Sequence, residues 1–166
     1  MAEKTIALLG QPNSGKSTLF NGLTGSRQHV GNWPGKTVER KDGFFSYNDV
    51  TYKIVDLPGT YSLSANSDEE VVTRNYISSG EANLVCILAD ASQLNRSLFM
   101  LADYAGIHVP VVLLLNMMDI AEGQGKKINV AGLQKSLGIP VVPMVAADKK
   151  QYQPFFNLLE NLEKRA

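Results

Sequence analysis

Apolar residues along this chain fall into two rhythms. Thr5 to Leu9, Asn83 to Ala89, Val109 to Leu115 and Ile139 to Met144 are short, nearly unbroken apolar runs, which predict strands buried on both faces. Val38 to Tyr47 and Val50 to Asp56 also read as strands, joined through the turn pair Asn48-Asp49. The charges Glu39, Arg40, Lys41 and Asp42 predict a sheet-edge position for the first of these. Helical spacing appears at Leu19, Phe20 and Leu23 before Gly25, and again at Leu94, Leu98, Leu101, Ala102 and Ala105 before Gly106. It recurs at Leu133 and Leu137 before Gly138, and at Phe155, Leu158, Leu159 and Leu162. Asp68 to Ser79 reads as a helix with an acidic first turn. Ser26 to Lys36 has neither rhythm and reads as a mobile loop, with Leu57 to Asn66 as a second. A hairpin followed by alternating strands and helices predicts an α/β domain: a mostly parallel sheet with helices on both faces. Ligands of such sheets bind at the carboxyl ends of the strands.

Three motifs follow strands in that way. Gly10-Gln11-Pro12-Asn13-Ser14-Gly15-Lys16-Ser17 fits G-x-x-x-x-G-K-[ST] between a strand and a helix. Its amides, with Thr18 next in line, are expected to cradle phosphates at the positive end of the helix dipole. Lys16 is expected to reach the β- and γ-phosphates and the Ser17 hydroxyl to ligate Mg²⁺. A glycine turn that binds nothing is the plain alternative, and the correct flanks weigh against it. In Asp56-Leu57-Pro58-Gly59, the Asp56 carboxylate suits the Mg²⁺ shell and the Gly59 N–H the γ-phosphate, although an isolated Asp-x-x-Gly is an ordinary turn. In Asn116-Met117-Met118-Asp119, the Asp119 carboxylate can accept both N1–H and N2–H of guanine, while the Asn116 amide is expected to read the O6/N7 edge. Adenine would set a lone pair against that carboxylate, at a cost of a few kcal/mol, or roughly a hundredfold in preference. A simple cap on the next segment is the alternative.

Bulk properties narrow the field. The chain has 166 residues, enough for one domain with its own core. Sixteen basic residues balance sixteen acidic ones, so no net field draws it to nucleic acid. The single cysteine, Cys86, sits in an apolar run and excludes a disulfide framework. No apolar run is long enough to span a bilayer. The composition suits a soluble domain in a reducing compartment.

Together the motifs resemble the translation-factor branch of the Ras-like P-loop GTPases. That resemblance implies a six-stranded sheet of order 2-3-1-4-5-6 with strand 2 antiparallel. It also places Thr37 at the threonine that senses Mg²⁺ and the γ-phosphate. Three strings are more specific: Gly10 to Ser17, Leu23 to Glu39 with its Gly31-Asn32-Trp33-Pro34-Gly35 run, and Asp56 to Leu63. They look like the cytosolic G domain of the FeoB family of bacterial ferrous-iron transporters. The resemblance implies one G domain over residues 1–166, hydrolysing GTP to GDP to control or power Fe²⁺ uptake at the cytoplasmic side of the membrane. Its partners would be guanine nucleotide, the helical and transmembrane domains absent from this chain and, as an open option, further copies of itself, but no nucleic acid. The family's site carries over to Gly35, Lys36 and Thr37 in the first switch, and to Ala146-Ala147-Asp148 as the last guanine loop. Asn13, Lys16, Thr37 and Gly59 would carry catalysis, and Ser17, Thr37 and Asp56 would hold Mg²⁺.

Departures from the pattern matter as well. Thr60 stands where many relatives have glutamine, and Met117 where many have lysine. Asn13, with the backbone carbonyls of Asn32 and Trp33, is expected to hold K⁺ as a charge neutraliser. Ala146 stands where the last guanine loop ordinarily begins with serine, which predicts quick GDP release. Trp33 and Tyr61 read equally as partner contacts or as packing, and His29 and His108 as incidental. An assembly GTPase of the ribosome-associated Era-like type is the alternative in another class, and a nucleotide-binding module with little turnover is a third.

Overall fold

A computed structural model of the chain describes residues 2–10, 14–58, 67–94, 98 and 109–165. In it β1 (Ala2–Gly10) is followed by α1 (Lys16–Thr24), β2 (Gln28–Asn32), β3 (Glu39–Tyr47), β4 (Val50–Asp56) and α2 (Asp68–Ser78). Then come β5 (Leu84–Asp90), β6 (Val111–Asn116), α3 (Met118–Gly123), α4 (Val130–Leu137), β7 (Val141–Pro143) and α5 (Gln153–Arg165). The strands form one sheet in the order β2-β3-β4-β1-β5-β6-β7. The pairs β2/β3 and β3/β4 are antiparallel and the others parallel. The expected α/β architecture is present.

Alternation along the strands explains why their sequence looks uniformly apolar. Ala7, Leu9, Val55, Val85, Ile87, Leu113 and Leu115 face one way, into a core with Val72, Tyr76 and Ile77 of α2. Ile6, Leu8, Ile54, Cys86, Leu88, Val112 and Leu114 face the other, against Leu19 and Phe20 of α1 and Phe155 and Leu159 of α5. The strands β1, β4, β5 and β6 therefore bury both of their faces. Burial pushes the Cys86 thiol well above its ordinary value, which suits an inert core residue.

Two expectations give way. The sheet has seven strands rather than six, because Gln28–Asn32 pairs with Glu39–Gly43 inside the stretch read as a loop. This strand covers no core, and four of its five residues are exposed. Backbone pairing with β3 and the Gln28 amide, which donates to Asn21, Thr24 and the Gly25 carbonyl, hold it, so it leaves no hydrophobic period. The same strand, not β3, takes the sheet edge. The charges of β3 are accommodated one strand in by pairing: Arg40 donates to Asp42 at 2.9 Å, and Lys53 lies 3.5 Å from Asp42. α3 is too short for its period to show in sequence. Asn48 and Asp49 form the expected hairpin turn with φ of 50° and 63°. The helix expected from Leu94 to Ala105 lies largely outside the described residues.

Candidate functional site

β1 lies between β4 and β5, and β3/β4 leave on one side while the parallel strands continue on the other. The carboxyl end of β1 is therefore the crevice where this class of sheet binds ligands. Gly10 closes that strand, paired with Leu88. Asp56 closes β4 directly alongside, in register with Leu8. Asn116 closes β6 opposite Asp90 of β5. Strand ends thus deliver the first residues of all three motifs to one edge of the sheet.

Gly15 caps α1 in the left-handed conformation, φ 93°. A Cβ there would also stand 2.2 Å from the Asn116 amide nitrogen, so glycine is required twice over. Ser17 and Thr18 are exposed on the first turn of α1. The Lys16 ammonium donates to Asp56 Oδ1 and to the Leu57 carbonyl, each at 2.5 Å. Leu57 is buried and its own N–H donates to the Leu8 carbonyl. Lys16, Asp56, Leu57 and Pro58 line an open cleft with Val38 and with Glu39 and Lys41 of β3.

The Asn116 side chain is 3% exposed. Its Nδ2 donates to the Ser14 carbonyl at 2.9 Å, and its Oδ1 accepts from the Ala146 N–H at 2.7 Å. The amide expected to read the purine edge also ties the loop before α1 to the loop at Ala146, and its second N–H and second lone pair are not used by these two bonds. Met117 adopts the left-handed conformation at the start of α3, and its Cε lies near Gly15. Asp119 is exposed on the first turn of α3. Ala146 is buried, Ala147 exposed, and Asp148 caps the turn that follows by accepting from the Lys150 N–H at 3.1 Å.

The first switch is a hairpin tip. The Trp33 N–H donates to the Val38 carbonyl and the Lys36 N–H to the Trp33 carbonyl, leaving Gly35, Lys36 and Thr37 exposed. The Lys36 ammonium lies 3.4 Å from Asp68 of α2. Asn32 is an exposed residue at the end of β2, in register with Glu39. Trp33 packs rather than projecting: it meets Tyr76 edge-on at 5.5 Å, and the Arg40 guanidinium stacks over it at 4.5 Å. The hydrogen bond to Asp42 raises the Arg40 pKa further above its ordinary range. Gln11, Pro12, Asn13, Gly59, Thr60, Tyr61 and His108 lie outside the described residues. Sequence reasoning passed over Arg40 as a switch clamp, and Tyr152, whose hydroxyl donates to the Ala146 carbonyl at 2.6 Å. Neither stands at a spacing that any motif marks.

A family model for ferrous iron transport protein B matches residues 4–159. The chain belongs to that family. The Fe(2+) transporter FeoB of Escherichia coli (strain K12) is 50% identical over 150 residues, which cover 88% of this chain and 19% of that protein. The chain therefore spans about a fifth of the length of the curated relatives it matches. The G domain of the T. maritima FeoB iron transporter superposes with a TM-score of 0.84 at 41% identity, over 98% of this chain and 95% of that one. The cytosolic domain of the same transporter, solved in a GDP form, gives 0.90 at 40% identity, over 99% of this chain and 64% of that one. In a GMPPNP form it gives 0.87 at 41% identity, over 95% and 61%. The resemblance carried by the Leu23 to Glu39 string is thus the right one, and the ribosome-associated alternative falls away. Among the described residues no helix is long and apolar enough to cross a membrane.

Proposed function

We propose that this chain is a G domain that binds and hydrolyses GTP. Within a longer protein on the cytoplasmic side of a membrane, it would control or power ferrous-iron uptake. The observation that carries this reading is the Asn116 amide, which joins the loop before α1 to the loop at Ala146. A phosphate grip and a base pocket are thereby held as one unit. Family relatives solved in GDP and GMPPNP forms support it.

In this reading the amides ahead of α1 hold the phosphates, and Lys16 exchanges Asp56 for β- and γ-phosphate oxygens. Asp119 accepts the guanine N1–H and N2–H, the Ala147 N–H meets O6, and Met117 covers the face of the base. Thr37 and the Gly59 N–H meet the γ-phosphate, so hydrolysis depends on the first switch folding over the cleft. Among the described residues no side chain is an obvious general base, and in this reading catalysis rests on positioning and charge.

The donor set for Mg²⁺ is chemically apt: two hydroxyls, Ser17 and Thr37, and the Asp56 carboxylate are hard oxygen ligands. Asp56 already stands beside a cation, the Lys16 ammonium. Bound there, Mg²⁺ supplies neutralisation of phosphate charge. For K⁺, Asn13 and the carbonyls of Asn32 and Trp33 form the candidate set. The Trp33 carbonyl accepts the Lys36 N–H, so it must reopen that turn or share its second lone pair.

Calorimetry with GDP and ADP tests the base pocket; equal binding would overturn it. Steady-state phosphate release from GTP in KCl and in NaCl tests turnover and its cation. No release in either salt would leave a binding module without catalysis, and equal release would remove the K⁺ role.

A further inference from the structure

Tyr152 stands between the short 3-10 turn Lys149–Gln151 and α5, outside every motif. Its side chain is buried, and burial, with a smaller push from the Asp148 charge, raises its pKa above the ordinary tyrosine value. The hydroxyl donates to the Ala146 carbonyl at 2.6 Å, while the Ala146 N–H donates to Asn116 Oδ1 at 2.7 Å. Both backbone polar groups of Ala146 are thus held by side chains from elsewhere in the fold. The ring reaches this place because α1 presents Gly22 to it. A Cβ on Gly22 would stand 2.2 Å from the Tyr152 hydroxyl oxygen.

The Ala146 carbonyl and the Ala147 N–H belong to one peptide plane, trans and stiff. Gripping the oxygen therefore aims the N–H, on the opposite side of the plane, away from Tyr152. We propose that Tyr152 is the positioning residue of the base pocket: it points the exposed Ala147 N–H at the 6-oxo group of the purine. Tyr152 thereby prolongs the residence of guanine nucleotides. It replaces, from beneath, the brace that an alanine at position 146 cannot give. This rests on the guanine reading above and deepens it.

Two variants break the grip differently. Tyr152→Phe removes the hydroxyl and keeps the ring, while Gly22→Ala keeps the hydroxyl and pushes it off Ala146. Stopped-flow release of fluorescent methylanthraniloyl GDP is compared with release of the matching 6-thioguanosine diphosphate, which keeps N1–H and N2–H for Asp119 but lacks O6, carrying a weakly accepting sulfur there. Both variants are expected to release GDP about fivefold faster, the worth of one neutral hydrogen bond. Release of the O6-lacking analogue should stay unchanged. Equal acceleration of both nucleotides would assign Tyr152 a merely structural role, and unchanged GDP release would remove any role. Either result overturns the proposal while the wild-type preference for GDP over ADP leaves the guanine reading standing. Should Tyr152→Phe fail to fold, Gly22→Ala decides alone, because alanine is favoured over glycine within a helix.

Discussion

The two ends of this site are built on different principles. At the guanine end, a buried amide joins Ser14 to Ala146 across 102 and 30 residues of sequence, and Tyr152 closes the chain of contacts. Those bonds are part of the fold. At the phosphate end, Lys16 rests on Asp56 and Leu57, and the exposed Gly35 to Thr37 tip is tied down through Trp33, Tyr76 and Arg40. A triphosphate would have to take Lys16 from its present partners. On the proposed reading, the base pocket would therefore be architecture, and the phosphate pocket an exchange of partners.

Replacing Asn116 by alanine tests the first half and should have the largest effect. It strips the Ser14 carbonyl and the Ala146 N–H of their buried partner, at about 1–3 kcal/mol each. Urea unfolding should show a loss of roughly 2–6 kcal/mol. A loss no larger than that of a surface mutation would mean the brace is not architecture. Asp119→Asn comes next. Asp119 is exposed, so the fold should be untouched, yet GDP should weaken about a hundredfold while XDP gains. Calorimetry with both nucleotides reads this, and a variant that still prefers GDP would separate Asp119 from base choice.

Legibility followed the same division. The three motifs were readable because each sits where an apolar run ends, and burial of both sheet faces makes such runs conspicuous. β2 was illegible because its pairing with β3 is made by backbone alone. Asn116 was found for one of its two contexts: spacing marks the residue but cannot show that its amide also joins two distant peptides. Trp33 was ambiguous because an aromatic in a loop gives no period. Tyr76 on α2 and Arg40 on β3 decide its place, and both are distant in sequence. Side-chain partners that meet only in space, Tyr152 and Ala146 among them, leave no trace in spacing.

The clamp on the first switch gives a smaller, local effect. Arg40→Ala removes the stacked guanidinium, worth about 0.5–2 kcal/mol. Asp42 keeps Lys53 at 3.5 Å, so global stability should fall by no more than that amount. The amides of Trp33 and Lys36, both bonded within the hairpin tip, should exchange with solvent up to tenfold faster. Unchanged exchange would show that the tip is held by its own backbone and not by the aromatic lid.

The smallest effect belongs to the ion pair that, among the described residues, joins the first switch to the start of α2. Lys36 and Asp68 are 3.4 Å apart, with side chains 37% and 56% exposed. Water screens such a pair, and fixing two long side chains costs entropy, so it should contribute about 0.2–1 kcal/mol at most. Lys36→Met should leave the melting temperature and the exchange of the Trp33 amide where they are, in low salt and in high. This near-silence is informative because the pair is the most visible bridge between the two segments. If Lys36→Met loosened the tip as much as Arg40→Ala, surface charge would be holding the phosphate end shut. Its opening would then track ionic strength, and the contrast with the salt-indifferent, buried guanine end would be sharper than the aromatic clamp alone can make it.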